Sequence, residues 1–115
     1  MADFGLRWHE WRDVRVLTVR GEIDVTAAAE VSRRLARLQR KSAVFVDLWD
    51  VTMIDPVGLE ALANAKQRAE VTGWDFALIA QPDGAVAEEI QRAGLEESLR
   101  LFATKYDART AMRHP

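Results

Sequence analysis

The sequence contains no cysteine, and this absence excludes disulfide bonds, thiolate metal ligands and a cysteine nucleophile. Glycine is also scarce. Six glycines stand one by one along 115 residues, so no glycine-rich loop is present to cradle a phosphate. No apolar stretch approaches the roughly 20 residues that cross a bilayer. The first residues lack a basic segment followed by an apolar run, so we expect no signal peptide.

The composition predicts one globular domain over residues 1–115, because 49% hydrophobic residues suffice for a single core. The net charge of −2 gives no electrostatic reason to bind nucleic acid. No serine lies in a nucleophile elbow, and neither His9 nor His114 has a partnered context. We therefore expect a binding module rather than an enzyme, with no metal and no cofactor.

The hydrophobic pattern predicts alternating strands and helices. Two strands at 6–11 and 14–19 are joined by so short a turn that they must pair antiparallel, the first as an edge strand. The later strands, at 43–46, 74–80 and 99–102, are separated by helices and must pair in parallel through right-handed crossovers. The expected fold is a single α/β domain with a mixed, mostly parallel sheet and one antiparallel edge strand, in the order β-β-α-β-α-β-α-β-α.

The most informative stretch, residues 43–62, joins a buried strand to a helix start. Asp55 is a good N-cap, and Pro56 has the φ angle that the first helical residue needs. Leu59, Leu62 and Ala63 then come at helical spacing. We expect this helix to begin within two residues of Pro56 and to end at Gly73.

This stretch resembles the STAS domain, the family of bacterial anti-sigma factor antagonists and related regulators. The resemblance runs over roughly residues 14–112. It rests on three groups of residues: Gly21-Glu22-Ile23-Asp24; Val46-Asp47-Leu48, Val51, Met53-Ile54-Asp55, Gly58-Leu59 and Leu62; and Ala93-Gly94-Leu95. It implies a cytoplasmic bacterial protein that binds an anti-sigma factor with a kinase-like ATPase fold.

The chain departs from the family pattern at the serine whose phosphorylation controls partner binding. The family's usual Asp-Ser-(Ser/Thr)-Gly stands here as Asp55-Pro56-Val57-Gly58. In the family, the partner phosphorylates the serine and the complex breaks, whereas Pro56 and Val57 carry no hydroxyl. Thr52 is the nearest hydroxyl, and we expect it to stabilise a turn. The resemblance places the partner-binding surface at Glu22, Asp24, Trp49, Thr52, Asp55, Pro56, Val57, Gly58 and Glu60.

The same region admits two other interpretations. The acids Glu22, Asp24, Asp47, Asp50 and Asp55, with Lys105, resemble a phosphoacceptor receiver domain, but no adjacent acid pair is present to hold Mg²⁺. The simpler expectation is that Asp24 and Asp55 cap helices and that Asp47 and Asp50 lie in turns. Trp49, where the family more often has a small residue, is either an exposed anchor for a partner or a lid over the core.

The first helix carries a basic stripe of Arg33, Arg37 and Arg40, with Arg34 and Lys41 beside it. It can meet a phosphate or an acidic partner, but a solvated face that suits the negative helix C-terminus is the preferred interpretation.

For the whole chain we favour an antagonist without the phosphorylation switch. The alternatives are a STAS subunit of a signalling scaffold or transporter ATPase complex, and a small-ligand or nucleotide sensor.

Overall fold

The computed structural model describes residues 3–112, which form five strands and four helices in the predicted order. The strands are β1 (Gly5–Trp11), β2 (Val14–Ile23), β3 (Ala43–Ile54), β4 (Phe76–Ile79) and β5 (Leu101–Phe102). The helices are α1 (Val25–Leu38), α2 (Pro56–Thr72), α3 (Ala85–Arg92) and α4 (Lys105–Met112). The prediction that the second helix begins at Pro56 is confirmed.

The five strands form one sheet in the order β1-β2-β3-β4-β5, so spatial order repeats sequence order. The β1–β2 pair is antiparallel, and the other three pairs are parallel. The mixed sheet with one antiparallel edge strand is therefore confirmed.

The sheet has a hydrophobic cluster on each face. The larger cluster joins β2, β3 and β4 to α1, α2 and α3, with Leu17, Leu35 and Leu62 fully buried at its centre. The smaller cluster lies under α4, where Ala108 packs among Val14, Val16, Ala43, Phe45, Ala77, Ile79 and Phe102. Three helices thus cover one face, while α4 covers part of the other.

The two longest strands run further than the sequence indicated. Strand β2, expected to end at residue 19, continues to Ile23, and β3 continues through residues 49–54 up to the residue before the Asp55 cap. The register between β2 and β3 shifts between Thr18 and Arg20 and again between Gly21 and Glu22. Such irregularities admit an extra residue without ending the pairing. Asp47 and Asp50 therefore lie in a strand, and the prediction that they occupy turns is wrong.

Smaller differences occur later in the chain. The strand predicted at 74–80 is β4, which spans only Phe76–Ile79, and Trp74 is exposed. The strand predicted at 99–102 is reduced to Leu101–Phe102. Helix α3 ends with Ala93 exposed at its C-cap.

The ends of the central helices depend on local chemistry. Asp24 Oδ1 accepts a hydrogen bond from the backbone N–H of Ala27 at 2.8 Å, which makes Asp24 the N-cap of α1. At the end of α2, Gly73 has φ +82° and ψ +4°, the left-handed conformation that glycine adopts without strain. The predicted cap at Asp24 and stop at Gly73 are confirmed.

Removing the α1 cap has a modest expected cost. We expect Asp24→Ala to lower the free energy of unfolding by about 1 kcal/mol, because an N–H group of the first turn loses its acceptor. Urea unfolding measures the change. Asp24→Asn is the matched control, since its side-chain oxygen can keep the bond. An Asn variant that loses as much stability as the Ala variant would contradict this role for the hydrogen bond.

Candidate functional site

The candidate site is the edge of the sheet where β2 and β3 end and α1 and α2 begin. We call this surface the carboxyl edge; it comprises residues 22–26 and 53–58. The two strands remain paired to their last residues, with Glu22 opposite Met53 and Ile23 opposite Ile54. The backbone N–H of Asp55 then donates to the carbonyl of Ile23 at 2.8 Å. This pairing places the N-termini of α1 and α2 side by side.

The start of α2 has the geometry that the sequence predicted. Asp55 is extended, with φ −72° and ψ 150°, and its Oδ1 accepts from the backbone N–H of Val57 at 2.9 Å. Pro56 occupies the first turn, where its missing N–H leaves no bond unmade. Asp24 and Asp55 are thus both N-caps, as expected, and one oxygen of each carboxylate is bound to the backbone.

Gly58 sets how closely α2 approaches the sheet. A Cβ atom at this position would lie 2.8 Å from Cγ2 of Ile23 and 3.0 Å from Cγ1 of Ile54. Both isoleucines are buried, so neither has free space to move into. Gly58 therefore holds the first turn of α2 against the strand ends, and its own position is buried rather than exposed to a partner.

Three large apolar side chains at the carboxyl edge are exposed. Val25 is 57% exposed, Met53 37% and Val57 46%. Each lies within two residues of a buried isoleucine, Ile23 or Ile54, or of the Asp55 cap. With the exposed Pro56, they are the apolar residues that the carboxyl edge leaves open to solvent, among the carboxylates of Glu22, Asp24 and Asp55.

Sequence reasoning selects Val57 but misses Val25 and Met53. The exposure of Val25 could have been predicted, because Val25 comes directly after an N-cap and precedes the inward-facing Ala27 and Ala28. The exposure of Met53 could not have been predicted, because the sequence around Met53 indicates a connection rather than a strand.

The remaining predicted residues lie around this surface. Glu22 is half-buried, whereas Thr52 and Glu60 are exposed. Thr52 lies within β3, so it does not stabilise a turn as predicted. Its neighbours in a groove of about 240 Å³ include Trp49, Gln81 and Gly84, between the second half of β3 and the start of α3.

Trp49 is held at the rim of that groove by its backbone. Its N–H donates to Oδ1 of Asp47 at 3.0 Å, and its carbonyl accepts from Nε2 of Gln81 at 2.8 Å. The residue is 41% exposed. A residue that is partly exposed and partly covered fits both predicted roles, an anchor for a partner and a lid over the core, so the choice between them stays a prediction.

The five acids of the receiver-like interpretation are not brought together. Glu22, Asp24 and Asp55 lie at the carboxyl edge. Asp47 lines a groove on the other sheet face with Lys105, and Asp50 lines a third groove with Arg7 and Arg20. Within residues 3–112, no group of three His, Asp or Glu side chains is arranged to hold a metal ion. The same residues include no helix long and apolar enough to cross a membrane.

Fold and site define a class: a small mixed α/β domain in which two capped helix N-termini and exposed apolar side chains share one edge of the sheet. A family model described as the STAS domain matches residues 9–108, and the chain belongs to this family. It is an anti-sigma factor antagonist-like STAS domain, 32% identical over 103 residues to the anti-sigma-F factor antagonist RsfB of Mycobacterium tuberculosis. That match covers 87% of this chain and 82% of RsfB.

Solved structures agree with this assignment. The crystal structure of an anti-sigma factor antagonist from Mycobacterium paratuberculosis superposes with a TM-score of 0.81 at 27% identity, covering 97% of this chain and 96% of that one. Unphosphorylated SpoIIAA, a Bacillus cell fate determinant, superposes with a TM-score of 0.73 over 98% of this chain and 100% of its own. At 18% identity the SpoIIAA match shows the shared fold alone.

Proposed function

We propose that the protein is an antagonist that binds an anti-sigma factor through the carboxyl edge and is not released by phosphorylation there. The observation that carries the proposal is the exposure of three apolar side chains, Val25, Met53 and Val57, at the edge where α2 begins. Exposed apolar side chains rimmed by polar groups are typical of protein interfaces. RsfB is named as an anti-sigma-F factor antagonist, so an anti-sigma factor is the partner class to test first.

The lack of a switch is a consequence of the residues in the first turn of α2. Pro56 stands where the family resemblance places the phosphoacceptor serine, and neither Pro56 nor Val57 offers a hydroxyl. Phosphorylation adds between about 1.5 and 2 negative charges, and a helix N-terminus accommodates such charge well. A phosphate there must therefore act by repelling the partner, and this chain has no hydroxyl in that turn to carry one.

Trp49 extends the proposed interface along β3. Its backbone is fixed on both sides, and its indole is partly exposed at the groove rim. A rigidly held tryptophan offers a large contact area at little conformational cost, which is why tryptophan is enriched among residues that dominate binding. Together with Thr52 and Glu60, it gives the partner a surface larger than the apolar centre alone.

The experiment that tests the proposal introduces the missing hydroxyl. We expect the wild-type protein to bind a cognate anti-sigma factor with the same affinity in ADP and in ATP. Pro56→Ser should bind in ADP but lose affinity over time in ATP, as serine phosphate accumulates. We expect its cost in unfolding free energy to be about 0.4–1 kcal/mol, because the unfolded chain gains freedom without proline. Calorimetry measures the affinity, and mass spectrometry locates the phosphate.

Pro56→Ala is the matched control, since it removes proline without adding a hydroxyl and should behave as the wild type in ATP. Stoichiometric phosphate on Thr52 of the wild-type protein would overturn the claim that the switch is absent. Failure of the wild type to bind any anti-sigma factor would overturn the antagonist function itself.

A further inference from the structure

A second charged surface lies at the opposite end of α1 from the carboxyl edge. Five cationic side chains form what we call the basic face: Arg33, Arg34, Arg37, Arg40 and Lys41. All are exposed except Arg34, which is half-buried. Because α1 has 14 residues, the basic face lies about 20 Å from the Asp24 cap.

Capping of the helix C-terminus does not account for these cations. The carbonyl of Leu38 accepts from the guanidinium of Arg15, on β2, at 2.9 Å. The carbonyls of Leu35 and Arg37 accept from the backbone N–H groups of Gln39 and Arg40. The last turn thus has other hydrogen-bond donors, so the five cations are not needed to satisfy its carbonyl groups; the preferred interpretation, a solvated face that suits the negative helix C-terminus, stays a prediction.

Pairing with neighbouring acids does not account for them either. Within residues 3–112, none of the five side chains forms a hydrogen bond or ion pair with another protein group. The one acid on α1 is Glu30, and it forms no ion pair in that part of the chain. Arg33 and Arg37 lie four residues apart on α1, where like charges destabilise a helix, and Arg40 follows just beyond the helix end at Leu38. The arrangement costs stability and gains nothing inside the domain.

We propose that the basic face is a second docking surface and that its occupant is an acidic segment of a partner protein. Four of the five cations are arginines, whose planar guanidinium groups bind carboxylates through paired hydrogen bonds. From Arg33 to Arg37 the helix rises about 6 Å, and Arg40 and Lys41 follow just beyond its end at Leu38, so a few residues of an extended chain can reach along the basic face. The surface therefore fits a short run of glutamate or aspartate.

Two other anionic partners fit the basic face less well. A helix that lies on a membrane needs large apolar side chains beside its cations, but Val31, Leu35 and Leu38 of α1 are buried in the core. Single-stranded nucleic acid needs aromatic side chains for its bases, and neither α1 nor residues 39–42 has one.

The consequence is a domain with two separate contact surfaces. An acidic segment on the basic face leaves the carboxyl edge free, so one protein can hold an anti-sigma factor and a second partner together. The inference does not depend on the identity of the first partner, because the two surfaces share no residue.

The test uses a fluorescent peptide of eight glutamates as the probe, with the full chain at low ionic strength. We expect the triple variant Arg33→Gln/Arg37→Gln/Arg40→Gln to weaken binding at least about tenfold, the sum of three exposed charge pairs. Its thermal stability should equal or exceed that of the wild type, since like-charge repulsion is relieved. Backbone NMR shifts on titration should be confined to residues 30–41.

The matched control is Arg7→Gln/Arg92→Gln/Arg100→Gln, which changes the net charge equally at exposed sites elsewhere and should bind as the wild type does. Equal weakening in both triple variants, or shifts spread over the surface, would overturn the proposal. Tighter binding to a 20-nucleotide oligothymidylate, or to vesicles with 30% phosphatidylserine, than to the peptide would also overturn it in favour of that partner class.

Discussion

Replacing Gly58 with leucine is expected to lower the free energy of unfolding by about 3 kcal/mol, the upper part of the usual range for overpacking. The first atom of any side chain at this position already falls 2.8 Å from Cγ2 of Ile23. Because Ile23 and Ile54 are buried in a close-packed core, α2 must move away from the strand ends to admit the new side chain. Urea unfolding measures the loss.

Asn64→Leu is the control for Gly58→Leu. It adds a leucine at an exposed position of the same helix, where the change in stability should stay within about 0.5 kcal/mol. If Gly58→Leu were as stable as Asn64→Leu, the close approach between α2 and the sheet would not be a constraint. The placement of the Asp55 cap and of Val57 would then need another explanation.

Val57→Asp is expected to raise the dissociation constant for a cognate anti-sigma factor about 100-fold or more. The substitution places a carboxylate at the centre of the proposed apolar interface, where burying an unpaired charge is costly. A 100-fold change corresponds to about 2.7 kcal/mol. The fold should be unaffected, since a negative charge in the first turn of a helix is favourable. Calorimetry measures the affinity, and thermal unfolding checks the fold.

The matched control lies on the same helix. Val71 is 83% exposed near the C-terminal end of α2, and Val71→Asp changes the net charge by the same amount. We expect it to leave the affinity unchanged. Equal losses in the two variants would indicate a general charge effect, and unchanged affinity in Val57→Asp would place the interface elsewhere.

The parts of the fold that could be predicted from sequence are those specified by local chemistry. Asp24 and Asp55 are short acceptors beside a helix start, and Gly73 tolerates the left-handed conformation that ends a helix. The antiparallel β1–β2 pair is dictated by its two-residue connection, and the parallel order is dictated by the helices between the later strands.

The second half of β3 could not be predicted because its pairing is not local. Residues 49–54 mix polar and apolar side chains without alternation, and their strand conformation depends on β2 running alongside as far as Ile23. The register shifts that permit this depend on both strands together. The same error misplaced Asp47, Asp50 and Thr52, and it hid the exposure of Met53.

The motif allowed the residues at the start of α2 to be located from the sequence. The exposure or burial of the other site residues depends on tertiary packing and could not be predicted. Asp55, Pro56 and Val57 were located by their position at a helix start. By contrast, neither exposure nor burial of Trp49 can be deduced from its neighbours in sequence. Gly58 was assigned to the partner surface, whereas in the structure it contacts the buried Ile23 and Ile54.

The spatial order of the strands, which repeats their order in the sequence, bears on how the chain acquires its structure during synthesis. Each strand that leaves the ribosome pairs with the strand synthesised just before it, so the sheet can add strands in order at one edge. The last strand has two residues, and the last helix covers the second face only after Phe45 and Ile79 are in place. Once the residues up to Ala80 have left the ribosome, four of the five strands are available for pairing, and the remaining third of the domain supplies β5, α3 and α4.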